Sequence, residues 1–239
     1  MIVLNMNKKI LTAIFPLYVI ALFSCAVQDN FISYPVPDKS LFEPKKSIDV
    51  KDITETRDNA QNTYLPDWLS GFLNEGIEEA ERIESYRDKY LFIASSQGVN
   101  FAALSKWADN FTTEQNFPML AAARIERRMN VSNSVYPDEE YGIFYETLVK
   151  NAYGGRYPET VKEDIYWVKT KVIQENGNGE REGAALPEVY NFFVLISVER
   201  TEMQAAVYNL ISQAAASSAP SGAQAAAISR LRQNFFNGF

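Results

Sequence analysis

The stretch Glu188 to Glu199 constrains the fold more than any other. Tyr190, Phe192, Val194, Ile196 and Val198 fall on one side of it, and Asn191, Phe193, Leu195, Ser197 and Glu199 fall on the other. A period of two kept over that length is a strand, and its wholly apolar side requires a helical layer. Glu163 to Gln174, with Ile165, Tyr166, Trp167, Val168, Val172 and Ile173, is β-rich in the same way. It reads as the hairpin partner, with Asn176-Gly177-Asn178-Gly179 and Pro187 in a long connection. That glycine-rich tip lacks the following helix and lysine of a phosphate-binding loop, so it is a turn. Thr201 and Gln204 have capping-box spacing for a following helix, whose Met203, Val207, Leu210 and Ile211 form the covering stripe.

Upstream, the folded part is expected to start at Tyr64 to Leu69. A helix is expected from Asn74 to Tyr90, where Glu75, Glu78, Glu79, Glu81 and Glu84 interleave with Arg82, Arg87 and Lys89. That spacing describes a solvated, ion-paired face better than a cation site. Lys89 to Ser96 reads as a strand ended by Gln97-Gly98, and Phe101 to Trp107 as a short helix. The next helix is expected to be capped by Asn116, with Pro118 in its first turn, and to run to about Met129 with Ala122, Ile125 and Met129 on one face. Arg124, Arg127 and Arg128 fall on another face. They form either an anion or partner patch or an ion-paired face with Glu126. Pro137-Asp138-Glu139-Glu140 is the densest carboxylate cluster; it stands at the start of an expected helix, Asp138 to Asn151, where acids complement the dipole, and Asp138 and Glu140 are the pair a glycosidase without histidine would use. After Ser212 the composition turns to alanine and serine, with a break at Pro220-Ser221-Gly222. A last segment places Ile228, Leu231 and Phe235 on one face, with Phe236 beside them. That segment either binds a partner or a membrane, or docks back on its own domain.

Apolar residues at 46% and aromatics at 13% leave ample material for one core. A formal charge of −7 argues against nucleic acid as a partner. Histidine is absent, which removes Ser-His-Asp and Cys-His catalysis and histidine metal sites. With one cysteine there is no intrachain disulfide. No catalytic residue, cofactor or metal site is assigned, and the chain is read as a non-enzyme.

That one cysteine, Cys25, closes the apolar run. Lys8 and Lys9 supply a basic start, Ile10 to Ala21 an apolar stretch, and Ser24 a small residue before the cysteine, which is the layout of a secretory signal; Met6 is an alternative start. Leu22-Phe23-Ser24-Cys25 resembles a bacterial lipobox. The resemblance implies cleavage before Cys25, a diacylglyceryl thioether on its sulfur, and attachment to a membrane through acyl chains. A plain cleaved signal and an uncleaved anchor are the alternatives. Ile10 to Ser24, with Pro16 inside it, is shorter than the ~20 residues that span a bilayer. Ala26 stands where, in the enterobacterial sorting pattern, an aspartate would favour inner-membrane retention, and that resemblance implies the periplasmic face of the outer membrane. Residues 26–62, with Pro35, Pro37 and Pro44, read as a flexible tether.

Pro66-Asp67-Trp68, Ile93-Ala94-Ser95-Ser96, Ala121-Ala122-Ala123-Arg124, Tyr166-Trp167 and Tyr190 to Val198 occur in an order that resembles the Lpp-twenty lipoprotein family and the N-terminal domain of the flagellar protein FlgT. The resemblance covers about residues 64–212. It implies an α+β domain, no catalytic residues to carry over, and a role in the cell envelope or in flagellar assembly.

The expected organisation is a signal peptide at 1–24, a lipidated tether at 25–63, and an α+β domain at 64–212 with helices on one face of a small, mostly antiparallel sheet. Residues 213–239 complete it as a linker and amphipathic helix. The expected function is an envelope lipoprotein anchored to the membrane through Cys25, binding an envelope protein or peptidoglycan. Arg124, Arg127, Arg128, Leu231, Phe235 and Phe236 are the candidate binding residues. The alternative is an apolar-ligand carrier built from Trp167, Tyr190, Phe192 and Phe193, and a carbohydrate-active enzyme is the lesser third reading.

Overall fold

The computed structural model describes residues 48–58, 64–133, 142–171, 188–237 and 239, all within the unit Pro37–Phe239. Its centre is the strictly alternating segment, which offers an apolar face to one side and Phe193 and Leu195 to the other. Four strands, β1 (Ile53–Thr56), β2 (Lys89–Gly98), β3 (Thr160–Lys171) and β4 (Glu188–Glu199), form one antiparallel sheet in the order β1-β3-β4-β2. Within β4, every residue from Asn191 to Val198 is buried. The expected hairpin of β3 and β4 is formed, and β2 pairs with the other side of β4 over ten consecutive residues without a shift.

Among the described residues seven α-helices follow in the order α1 (Asp67–Glu75), α2 (Ile77–Ala80), α3 (Phe101–Asp109), α4 (Thr113–Asn133), α5 (Gly142–Tyr153), α6 (Arg200–Ser218) and α7 (Gly222–Asn234). The expected α+β class, a small antiparallel sheet with a helical layer, is what the chain forms. Helices α3 to α7 pack on the face carrying Tyr90, Phe92, Ala94, Phe192, Val194, Ile196 and Val198. The opposite face, with Leu91, Tyr166, Val168, Phe193 and Leu195, is not left bare: Trp68 and Leu69 of α1 and Ala80 of α2 pack there. That second cover follows from Phe193 and Leu195, which leave the other side of β4 apolar too.

Several boundaries differ from the sequence reading, each for a local reason. The segment expected to be tether contains β1, whose Ile53 and Thr56 are buried against the edge of β3. Four residues with three polar side chains carry too little period to be read as a strand. The helix expected from Asn74 to Tyr90 is interrupted by Gly76, whose φ of 98° suits glycine alone, and the chain becomes strand at Lys89. Helix α4 starts at Thr113, so Asn116 and Pro118 lie inside it; the Asn116 side chain donates to the Thr112 carbonyl instead of capping. Thr201 does not cap α6, which begins at Arg200, and Gln204 donates to the Tyr90 hydroxyl instead. The alanine- and serine-rich stretch continues α6 to Ser218, where Ala219 in the left-handed conformation turns the chain. Ser221 and Gln224 then form the capping box that starts α7. Asp138 and Glu140, like Cys25 and the glycine-rich tip at 176–179, lie outside the described residues.

A register shift between Lys162 and Asp164 marks a bulge in β3 at Glu163. The carboxylate of Glu163 accepts from Lys89 Nζ at 2.8 Å and from the Ser197 hydroxyl. Desolvation pulls its pKa up, but these two donors outweigh it and hold the group below its ordinary value. A depressed carboxylate stabilises the fold above its unfolded pKa and loses that contribution as pH falls through the folded one. Wild-type stability is therefore expected to fall relative to Glu163→Gln as the pH drops below the ordinary value of 4.5, read by urea unfolding across that range. Parallel pH profiles for the two proteins would contradict it.

Candidate functional site

Two places concentrate side-chain chemistry, and the first is built around Arg124. Ala121, Ala122, Ile125 and Met129 are the buried stripe of α4, and Arg124 leaves the rim of that stripe beside the first residues of β2. Its Nη1 donates to Glu81 Oε1 and to the Leu91 carbonyl, both at 2.8 Å, and its Nη2 donates to Glu81 Oε2 at 3.3 Å and to the Phe239 carbonyl. Glu81 in turn accepts from the Leu91 N–H at 2.8 Å. The guanidinium lies over the rings of Phe239, at 4.7 Å, and of Tyr90 and Phe92, each at 5.1 Å. The side chains of Arg124 and Glu81 are only 11% and 8% exposed. Arg124 thus joins the edge of β2, the end of α2 and the residue Phe239 into one contact.

Arg128, one turn further along α4, donates from Nε to the Phe235 carbonyl at 2.7 Å and from Nη2 to the Asn234 carbonyl at 3.0 Å. These are carbonyls at the end of α7, where a cation complements the helix dipole. Leu231, Phe235 and Phe239 are buried, and Phe236 stacks on Tyr90 at 6.0 Å and meets Tyr208 edge-on at 5.1 Å. The expected binding set therefore divides. Arg124, Arg128, Leu231, Phe235 and Phe236 serve an intramolecular contact in which the tail docks on its own domain, while Arg127 is exposed and has no bonding partner among the described residues.

Arginines three and four residues apart on a helix give no indication of whether they face solvent or a distant segment. Glu81 was missed for the same reason: its sequence neighbours suggest a surface helix, and its partner lies 43 residues away.

The second place is a cluster of aromatic rings at the far end of the sheet. Gly98 of β2 pairs with Tyr190, Trp167 pairs with Phe192, and α3 begins at once with Phe101, capped by the Asn100 side chain, which accepts from the Ala103 N–H. The Phe101 ring meets Trp167, Tyr190 and Phe192 edge-on, with centroids 5.1 to 5.4 Å apart. Phe101 remains 39% exposed and Val99 beside it 67% exposed. Lys169 sits 5.6 Å from the Tyr190 ring and pairs with Glu188 at 2.5 Å. The four aromatics expected to line a ligand cavity do not act together. Phe193 lies on the other face against Phe72, while Trp167, Tyr190 and Phe192 fill the space between one another.

No family model, curated protein or solved structure matches the chain. Among the described residues, no helix is long and apolar enough to cross a membrane, and no group of three or more acidic, cysteine or histidine side chains could hold a metal ion.

Proposed function

We propose that the protein is a lipoprotein of the bacterial cell envelope, attached to the periplasmic face of the outer membrane through Cys25, whose α+β domain is a non-catalytic module that binds an envelope protein or the cell wall. The observation that carries this reading is the position of the only cysteine, directly after Leu22-Phe23-Ser24 at the end of the longest apolar stretch. Two acyl chains on that sulfur give a stable attachment where a single chain gives a marginal one.

A binding role for the domain is supported by how its charged side chains are used. Glu81 with Arg124, Glu163 with Lys89, and Asp164 with Arg57 are each engaged in holding strands or helices together. Of the exposed large apolar residues, which include Tyr64, Ile143 and Val161, Val99 and Phe101 stand together beside Trp167 and Tyr190, and exposed aromatic groups on a rigid frame are common anchors for partners.

Intact-protein mass spectrometry with membrane fractionation tests the anchor. The native chain is expected to begin at Cys25, carry a lipid-sized added mass and sediment with membranes, whereas Cys25→Ala loses both the mass and the membrane association. A native protein that is soluble and unlipidated would overturn the reading.

A further inference from the structure

The Glu81–Arg124 pair does more than join helices, because of which backbone groups it meets. In an antiparallel ladder the N–H and C=O of one residue point the same way, alternately toward the neighbouring strand and away from it. Leu91 gives its N–H to Glu81 and its C=O accepts from Arg124, so both groups point away from β4. The pairing of β2 with β4 continues without a shift from Lys89↔Glu199 to Gly98↔Tyr190. Ile93, Ser95 and Gln97 therefore also point their N–H and C=O groups outward, and among the described residues none of these groups has a partner.

The β1 side of the sheet is treated differently. On the opposite edge, β1 is four residues long and irregular in register. Beyond it, the backbone N–H of Arg57 donates to the Trp167 carbonyl and its Nη1 to the Ile165 carbonyl. Short, irregular strands and charged side chains are the usual means of blocking an edge. Here they close β1 and β3 from Ile165 to Thr170, and the Glu81–Arg124 pair closes β2 at Leu91 alone.

We infer that the run Ile93–Gly98 accepts an extended peptide segment of a partner protein as a fifth strand of the sheet. This rests on the reading of the domain as a protein-binding module and is independent of the lipid anchor. The side chains flanking the open run on the helical face are Ala94, Ser96 and Gly98, which are small and leave room for larger side chains on an incoming strand. Ile93, partly buried on the other face, offers an apolar neighbour there. The run leads directly to the exposed Val99 and Phe101. A guest segment with apolar residues at every second position fits these features: main-chain hydrogen bonds supply affinity and alternate side chains supply selectivity. A second copy of this chain fits less well. The open run ends at the Glu81–Arg124 pair on one side and at the turn into α3 on the other, whereas a stable protein interface takes about 20–30 residues a side.

The test uses the full chain in detergent and a phage-displayed library of random linear peptides. Selected peptides are expected to carry alternating apolar residues and to slow hydrogen exchange at the amides of Ile93, Ser95 and Gln97. N-methylation of the peptide amides that face β2 is expected to weaken binding about tenfold or more, while methylation of the alternate set leaves it unchanged. Ser95→Pro removes an outward N–H without breaking the ladder to β4, and it is expected to weaken binding similarly at unchanged melting temperature.

Failure to select such peptides, equal tolerance of both methylation patterns, or wild-type affinity in a folded Ser95→Pro variant would overturn the inference. So would a wild-type dimer that Ser95→Pro dissociates, since the occupant would then be a second copy. The methylated peptides decide the matter on the wild-type protein even if the proline variant does not fold. None of these results depends on whether Cys25 is lipidated, so failure here leaves the mass-spectrometric test of the anchor intact.

Discussion

Replacing Arg124 with alanine is expected to lower the unfolding free energy by about 3–5 kcal/mol, the range for removing one partner of a buried ion pair. The magnitude follows from what is left behind. Glu81 keeps one donor, the Leu91 N–H, and its charge stays in a site almost closed to water. The carbonyls of Leu91 and Phe239 lose their donor at the same time. Arg124→Lys is expected to recover little, since a single ammonium cannot bridge two carboxylate oxygens and two carbonyls in the plane that the guanidinium occupies between the rings. The double variant Glu81→Leu with Arg124→Met is expected to recover much of the loss, because it removes the unpaired charge as well as its partner. Urea unfolding of the four proteins decides it. A loss below about 1 kcal/mol for Arg124→Ala would mean that the pair behaves as an exposed surface bridge does.

What the sequence made legible was whatever depends on short-range period. The strand Glu188–Glu199 and its two faces could be read residue by residue, since every second side chain is apolar and nothing interrupts the alternation. The covering stripe of α6 was legible for the same reason, with Met203, Val207, Leu210 and Ile211 all buried. The failures arise where a residue's role is set by a distant partner or by one backbone angle. Gly76 looks like any glycine in an acidic helix until its positive φ divides that helix in two. Thr201 and Gln204 have capping spacing, yet the Tyr90 hydroxyl, 114 residues away in sequence, takes the glutamine. Of the candidate binding set, only Arg127 faces outward without a partner among the described residues. Whether the others contact a partner or their own domain depends on where α7 lies, and no local pattern records that. The exposed ring of Phe101 and the open run of β2 were missed because both arise from the meeting of three strands and a helix.

The position of α7 leads to the last expected result: Phe235→Ala destabilises the domain by about 3–5 kcal/mol, and truncation ahead of Gly222 lowers the melting temperature sharply. Phe235 is fully buried, within 5.4 to 5.5 Å of the rings of Phe236 and Phe239, and Ile228 and Leu231 bury the helix alongside it. The helix contains good formers, alanine above all, but its 13 residues are barely enough to hold together alone in water, so its stability comes from the surface on which it lies. That surface includes Tyr90, which the tail shields through Phe236 and Phe239 while Arg124 and Arg128 hold its carbonyls. Losing the tail would uncover Tyr90 and leave the Arg124 guanidinium without one of its acceptors, so the damage spreads from α7 to the base of β2. Thermal melts of the full chain, Phe235→Ala and the truncated chain separate the two roles considered for this segment. A recognition helix for a partner could be removed with the melting temperature unchanged, whereas a helix that completes the core could not.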